Sequence, residues 1–238
     1  MSAFLSHAYE PSAYGGSELS LARISFRNAG SSGVAIEPRD AFVKRMADII
    51  LALAVLMMMG IPMLLIAAAI RLTSPGPALF QQERIGLNGR RFVMLKFRTM
   101  HQNAEISGSL HQATRHDPRV TRVGAVLRHT SLDELPQLLN VVAGSMSLVG
   151  PRPHAPGTCV GGRPFEAISV NYAARHCVKP GMTGLAQIRG WRGETDTEEK
   201  LLHRIDCDLE YIATRNLRRD FAILWQTIIM VLRTPNAY

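Results

Sequence analysis

The sequence has little that would staple or export a protein. There are three cysteines in 238 residues, Cys159, Cys177 and Cys207, an odd number at wide spacing. No Cys-x-x-Cys pair or Cys/His zinc spacing occurs, so the thiols read as free in a reducing compartment. No apolar core of a secretory signal lies near Met1. Residues 1–41, with Gly15-Gly16, Gly30 and Ser31-Ser32-Gly33, are expected to form a largely disordered tail. Internal repeats, helix-turn-helix patterns and RNA-recognition motifs are all missing. Acidic side chains are scarce as well: 19 Asp and Glu face 27 Lys and Arg, a formal charge of +8. That balance asks for an anionic partner, whether phosphate groups, anionic lipid or nucleic acid. The arginines gather around carboxylates and prolines rather than along one helix face, which argues against nucleic acid.

One long apolar run is present. From Ile49 to Ile70 there are 22 residues without a charge. As a straight helix they would extend about 33 Å, enough for a hydrocarbon core of roughly 30 Å. A buried core helix is the alternative, but the run is long and uniformly apolar for one. Gly60-Ile61-Pro62 lies in its middle, and a proline there predicts a kink or break. Residues 27–46 hold four Lys and Arg, and residues 71–90 hold three. A spanning helix usually has an excess on the cytoplasmic side. Similar charge at both ends suits a helix-break-helix hairpin that enters and leaves on one face; a simple span stays open.

The rest is expected to be mainly α with little β. Ser74-Pro75-Gly76-Pro77 is a turn that ends the apolar helix. Residues 92–97 read as a short strand or buried extended segment, residues 147–149 and 185–188 as further short strands. Residues 124–129 and 132–142 look helical. Leu201, Leu202, Ile205, Leu209 and Ile212 form an apolar stripe at helical spacing, with Asp206, Asp208 and Glu210 opposite. A last helix puts Phe221, Leu224, Trp225, Ile228, Ile229 and Leu232 on one face, with Arg218, Arg219 and Arg233 at its ends. That face suits core packing or a helix lying in a membrane interface.

Ser131-Leu132-Asp133-Glu134-Leu135-Pro136 carries two adjacent carboxylates. The plain reading is a capping box, Ser131 capping a helix and Glu134 reaching back. Against it, Pro136 disturbs a regular helix start, and Arg122, Arg128 and Arg152 crowd the pair. A helix start among cations suits a phosphate. A carboxylate attacks phosphorus when the target's charge is neutralised, and a second carboxylate can hold Mg²⁺. Adjacency alone allows either order of roles. Alone, Pro151-Arg152-Pro153 reads as a rigid loop and Lys179-Pro180-Gly181 as a turn. His154 and His176 need no catalytic role, and Trp191 fits packing or an interface anchor.

Five segments in order carry a resemblance: residues 96–100 (Lys-Phe-Arg-Thr-Met), 117–124 (Asp-Pro-Arg-Val-Thr-Arg-Val-Gly), 131–140, 150–153 (Gly-Pro-Arg-Pro) and 179–187 (Lys-Pro-Gly-Met-Thr-Gly-Leu-Ala-Gln). Together they resemble the bacterial sugar transferase family, the monotopic polyprenyl-phosphate phosphoglycosyltransferases, over residues 42–238. The resemblance implies transfer of a sugar-1-phosphate from a UDP-sugar donor to undecaprenyl phosphate, with UMP released and Mg²⁺ required. The expected route is a phosphosugar-aspartyl enzyme, with Asp133 as nucleophile and Glu134 as metal partner. Lys96, Arg98, Arg128 and Arg152 would contact phosphate or nucleotide, and Asp208 would lie near the site. It further implies a re-entrant membrane helix over residues 42–72, broken at Pro62 near Gly60, and a catalytic domain over residues 73–238 on the cytoplasmic face of the bacterial inner membrane. Small members break the helix at Ser-Pro; Ile61-Pro62 stands here. Residues 192–197 (Arg-Gly-Glu-Thr-Asp-Thr) and the ending Asn236-Ala237-Tyr238 resemble members that start exopolysaccharide repeats with glucose-1-phosphate. Galactose-1-phosphate or another UDP-sugar is the alternative, and a non-catalytic membrane adaptor a third reading. Downstream glycosyltransferases would be partners.

Overall fold

The computed structural model describes residues 38–102 and 117–233. Most of the expected tail and the Asn236-Ala237-Tyr238 ending lie outside the described residues.

Helix α1, Pro38–Thr73, has 36 residues and begins four residues ahead of the expected boundary at 42. It stays helical through Gly60 and Pro62, where a break is expected. A proline removes one backbone hydrogen bond and strains the preceding turn, which can bend a helix without ending it. Only Asp48, Ala52 and Ile70 are buried. Met57, Met58, Ile61, Leu64 and Leu65 are all exposed. The buried-core alternative therefore fails, since a core helix covers an apolar stripe along its length.

The helix ends at the expected turn. The Ser74 hydroxyl donates to the Ile70 carbonyl at 3.2 Å and the Thr73 hydroxyl to Ala69 at 2.7 Å, satisfying carbonyls left open at a helix C-terminus. Strands β1 (Leu79–Ile85) and β2 (Arg91–Phe97) then form an antiparallel hairpin, Leu79 opposite Phe97 and Ile85 opposite Arg91. The expected strand at 92–97 is β2.

Helix α2 (Arg122–Thr130) starts at Thr121, whose hydroxyl accepts from the Gly124 amide at 2.9 Å. Its Leu127 joins Ile70 of α1 and Phe97 of β2 in a buried cluster. Met63, Ile66, Ala67, Val123, Leu132 and Leu135 pack around that cluster. Helix α3 (Gln137–Ala143) follows, and strand β3 (Ser147–Val149) forms where expected. Strands β4 (Cys159–Val160) and β5 (Arg163–Pro164) pair in a minimal hairpin before the one-turn helix α4 (Phe165–Ile168).

The parallel partner of β3 is β6, Gly181–Thr183. Residues 185–188, expected as a strand, form the one-turn helix α5 (Leu185–Ile188). A four-residue segment, Leu-Ala-Gln-Ile, has no period that separates the two forms, and the strand's place is taken four residues earlier.

Helices α6 (Glu198–Thr214) and α7 (Leu217–Arg233) close the described chain. Leu201, Ile205, Leu209 and Ile212 are buried as the stripe predicts. The opposite side of α6 is not a solvent face, because Arg204, Cys207, Asp208 and Tyr211 are buried too. On α7 only Asp220 and Ile223 are buried, and Phe221, Trp225, Ile228 and Leu232 stay exposed.

A polar knot ties the first turns of α1 to the rest. Lys44 pairs with Asp220 at 2.6 Å, and Asp220 accepts from the buried Tyr211 hydroxyl at 2.8 Å. Asp48 accepts from the Ser147 hydroxyl at 2.8 Å. Arg45 caps the C-terminal end of α3 through the Val141 and Val142 carbonyls at 2.6 and 2.9 Å.

Candidate active site

The two adjacent carboxylates lie between α2 and α3. Ser131 ends α2 in the left-handed region, at φ 60°, an uncommon conformation for a residue with a side chain. Leu132–Glu134 then makes a single 3₁₀ turn. The capping box does not form. The Glu134 amide donates to the Ser131 backbone carbonyl at 3.3 Å, and the Ser131 hydroxyl accepts from Arg192 at 2.7 Å. The pair is therefore not in the first turn of a regular helix. Pro136, with its fixed φ, stands at the cap position of α3 two residues later. Residues three apart in a 3₁₀ turn share a face. Leu132 and Leu135 pack against the buried cluster of Ile70, Phe97 and Leu127.

Glu134 is gripped by two cations. Lys96 Nζ lies 2.9 Å from its Oε1, and Arg152 donates to Oε2 at 3.2 Å and to Oε1 through its other nitrogen. Each cation is delivered by its own device. Lys96 sits on β2, whose edge is clamped by the buried Asn140. The Asn140 amide oxygen accepts from Leu95 N at 2.9 Å, and its nitrogen donates to Val93 O at 2.7 Å. Arg152 sits in the Gly-Pro-Arg-Pro loop, which is more than a stiff connector. Its Gly150 runs so close to Gly181 that a Cβ on Gly181 would stand 2.1 Å from the Gly150 nitrogen. The Lys-Pro-Gly segment is thus a contact surface for the loop as well as a turn.

The environments drive the carboxylates apart. Burial raises Asp133 to about 6; Lys96, Arg128 and Arg152 oppose the shift and Glu134 adds to it. Burial would raise Glu134 too, but Arg152 and Lys96 outweigh it and hold that carboxyl well below the usual range. Such divergence in one cleft separates acid–base and nucleophilic roles.

The cleft, about 340 Å³ and open to solvent, is lined by Arg128, Ser131, Asp133, Glu134, Arg152, Arg192 and Gly193. Arg128 reaches it from α2 while its Nε donates to the Thr99 hydroxyl at 2.9 Å. That contact needs Gly124, where a Cβ would meet the Thr99 carbonyl oxygen at 2.0 Å. Arg192 was not among the residues expected at the site. Its signal was present in the Arg-Gly-Glu-Thr run at 192–195. The buried Arg204 holds that loop, donating to the carbonyls of Trp191 and Gly193, each at 2.8 Å.

Of the expected contacts, Lys96, Arg128 and Arg152 gather at the pair and two do not. Arg98 is buried at the exit of α1, donating to Ser74 O and Oγ at 2.8 Å and Pro75 O at 2.6 Å. Its charge locks the turn that ends α1. Asp208 is buried against Arg175 at 2.5 Å, one layer behind Arg152. His154 is a satisfied core residue beside Tyr172 and Arg175, and His176 packs edge-on to Tyr172. Trp191 stacks on His203 at 4.3 Å, which is packing. Among the described residues no three His, Cys, Asp or Glu side chains group as metal ligands. Two carboxylates at a cationic cleft fit a cation that arrives with phosphates, as Mg²⁺ commonly does, better than a resident metal cage.

The bacterial sugar transferase family model matches residues 39–234. The chain is 52% identical over 196 residues to the UDP-glucose:undecaprenyl-phosphate glucose-1-phosphate transferase of Caulobacter vibrioides, covering 82% of this chain and 72% of that protein. It is 46% identical over 199 residues to the protein of that description in Escherichia coli K12, covering 84% of this chain and 42% of the relative. It is 42% identical over 197 residues to an Aeromonas hydrophila UDP-N-acetylgalactosamine-undecaprenyl-phosphate N-acetylgalactosaminephosphotransferase, covering 82% of this chain and 45% of the relative. The chain thus spans under half the length of the last two.

Proposed function

The chain belongs to the bacterial sugar transferase family, and on that premise we propose that it transfers glucose-1-phosphate from UDP-glucose to undecaprenyl phosphate. The Asp133–Glu134 turn carries this reading: two carboxylates with opposed environments, in a cleft with three arginines, on a turn packed against an apolar helix.

The chemistry runs in two displacements. An Asp133 carboxylate oxygen attacks the β-phosphorus of the donor, the bond to the α-phosphate oxygen breaks, and UMP leaves. The product is an aspartyl phosphosugar. A phosphate oxygen of undecaprenyl phosphate then attacks the same phosphorus, and the Asp133 carboxylate leaves with its electron pair. Arg128, Arg152 and Arg192 offset charge on the phosphate oxygens, where such transfers gain most of their catalysis. Lys96 and Arg152 orient Glu134. Mg²⁺, when bound through Glu134 and the donor's diphosphate, supplies charge neutralisation.

The acceptor is a lipid, so the site must work at a membrane. Both ends of α1 are attached to one domain, at Asp48 and Ala52 and again from Met63 onward. Ala52 and Met63, with ten residues between them, lie about 16 Å apart along the helix, half of a hydrocarbon core. That supports a helix that enters one leaflet without crossing, with both attachments on one face of the bilayer. The exposed Phe221, Trp225 and Ile228 of α7 support an interfacial helix beside it.

A second sugar is favoured by one observation, the 42% identity to the N-acetylgalactosamine enzyme. The test is UMP release by the purified protein with undecaprenyl phosphate and a panel of UDP-glucose, UDP-galactose and UDP-N-acetylgalactosamine. UDP-glucose is expected to turn over fastest. UMP release that ignores undecaprenyl phosphate, or none with any donor, overturns the proposal.

A further inference from the structure

Three consecutive carbonyls of the Arg152 loop are each held from behind. Arg175 donates to Arg152 O at 2.7 Å, Arg84 to Pro153 O at 3.2 Å, and the Ile85 amide to His154 O at 3.0 Å. The Arg175 contact falls on the residue that grips Glu134. Arg175 lies in the 3₁₀ segment Tyr172–Cys177 and is 2% exposed. Its guanidinium meets three different acceptors. Nε and Nη2 reach Asp208 Oδ2 at 3.0 and 2.5 Å, Nη2 also reaches Arg152 O, and Nη1 reaches His154 Nδ1 at 2.6 Å. An arginine only donates, so His154 Nδ1 presents its lone pair and the ring is neutral with its proton on Nε2. Burial, then the charge of Arg175, hold the ring in that form.

A rigid fork with its acceptors fixed in place is costly to bury unless each contact is made. Arg175, Asp208 and His154 do not line the cleft, whereas Arg152 does. The arrangement does one thing toward the chemistry: it fixes where the Arg152 backbone starts, and so where its guanidinium arrives at Glu134. We propose that Arg175, oriented by Asp208, is a positioning residue for Arg152. For its kinetic consequences the assignment rests on the transfer reaction proposed above. Lysine cannot replace it, because one ammonium cannot meet a carboxylate, a carbonyl and a ring nitrogen spread along a planar fork.

The test uses Arg175→Lys and Asp208→Asn in the full chain, alone and combined with Arg152→Ala, with thermal unfolding to confirm folding. Each single variant should lower UMP release on the order of 10- to 100-fold. In the Arg152→Ala background neither should lower it further, because their effect passes through a side chain already removed. Independent losses in that background, or full activity of Arg175→Lys, overturn the proposal. So does failure of both variants to fold, which makes the pair merely structural. A readout free of activity is the Arg152 Nε–H resonance, assigned by its loss in Arg152→Ala. It should shift and broaden in both variants, and an unchanged resonance overturns the assignment. If wild-type protein releases no UMP, the reaction is wrong, and the resonance still decides the positioning role.

Discussion

Asp133 and Glu134 are neighbours in sequence and opposites in environment. Glu134 spends its charge on Lys96 and Arg152, whereas burial leaves Asp133 with a raised carboxyl. A less solvated, more basic carboxylate is the better nucleophile, and a carboxylate among cations is the better ionic anchor. Asp133→Asn keeps the shape and removes the nucleophile. Transfer of labelled sugar phosphate should fall by about 10³-fold or more in protein that unfolds normally. Near-wild-type turnover by that variant would sink the two-step mechanism. Glu134→Gln removes the charge that holds Lys96 and Arg152. Turnover should drop by about 10²-fold, and the Mg²⁺ concentration for half activity should rise. An unchanged Mg²⁺ titration would count against a role for Glu134 at the metal.

Among the elements, the contacts that build the site run between motifs distant in sequence. One such close approach is Gly150 to Gly181, across the β3–β6 pair. Gly181→Ala forces a Cβ into the backbone of the Arg152 loop. It should cost about 2–4 kcal/mol of stability and lower activity at temperatures where the protein is still folded. Chemical denaturation measures the first, and wild-type stability would refute the contact. This contact also marks what the sequence made legible. Helix α2, strands β2 and β3 and the buried stripe of α6 could be read because each has a period or a cap. Strand β1 could not, since Leu-Phe-Gln-Gln-Glu-Arg-Ile alternates poorly and is mostly exposed. The strand expected at 185–188 was four residues late, because a parallel partner is set by the fold and not by local pattern. Lys96, Arg128 and Arg152 could be placed at the site from motif order. The position of Arg98 could not be read, because motif order does not show that it is held at the exit of α1 by Ser74 and Pro75.

For the molecule as a whole, the decisive question is how a charged cleft meets a lipid acceptor. Two exposed apolar surfaces, the middle of α1 and the outer side of α7, start from one polar knot at Lys44 and Asp220. Under the proposed topology both would face one bilayer surface. Leu132 and Leu135 pack on the buried cluster that includes Ile70 of α1, so the carboxylate turn is tied to the C-terminal end of that helix. A helix that crossed the bilayer would carry one of its attachments to the far side, away from the domain that holds both. This separates the topologies by labelling. Asp40→Cys and Leu72→Cys, both at exposed positions outside the apolar run, are made in a background lacking the exposed Cys159 and Cys177. A membrane-impermeant maleimide should label both in inverted inner-membrane vesicles and neither in intact spheroplasts. Labelling of the two positions from opposite sides would establish a span. It would also leave unexplained how Ala52 and Met63, about 16 Å apart along the helix, contact one domain.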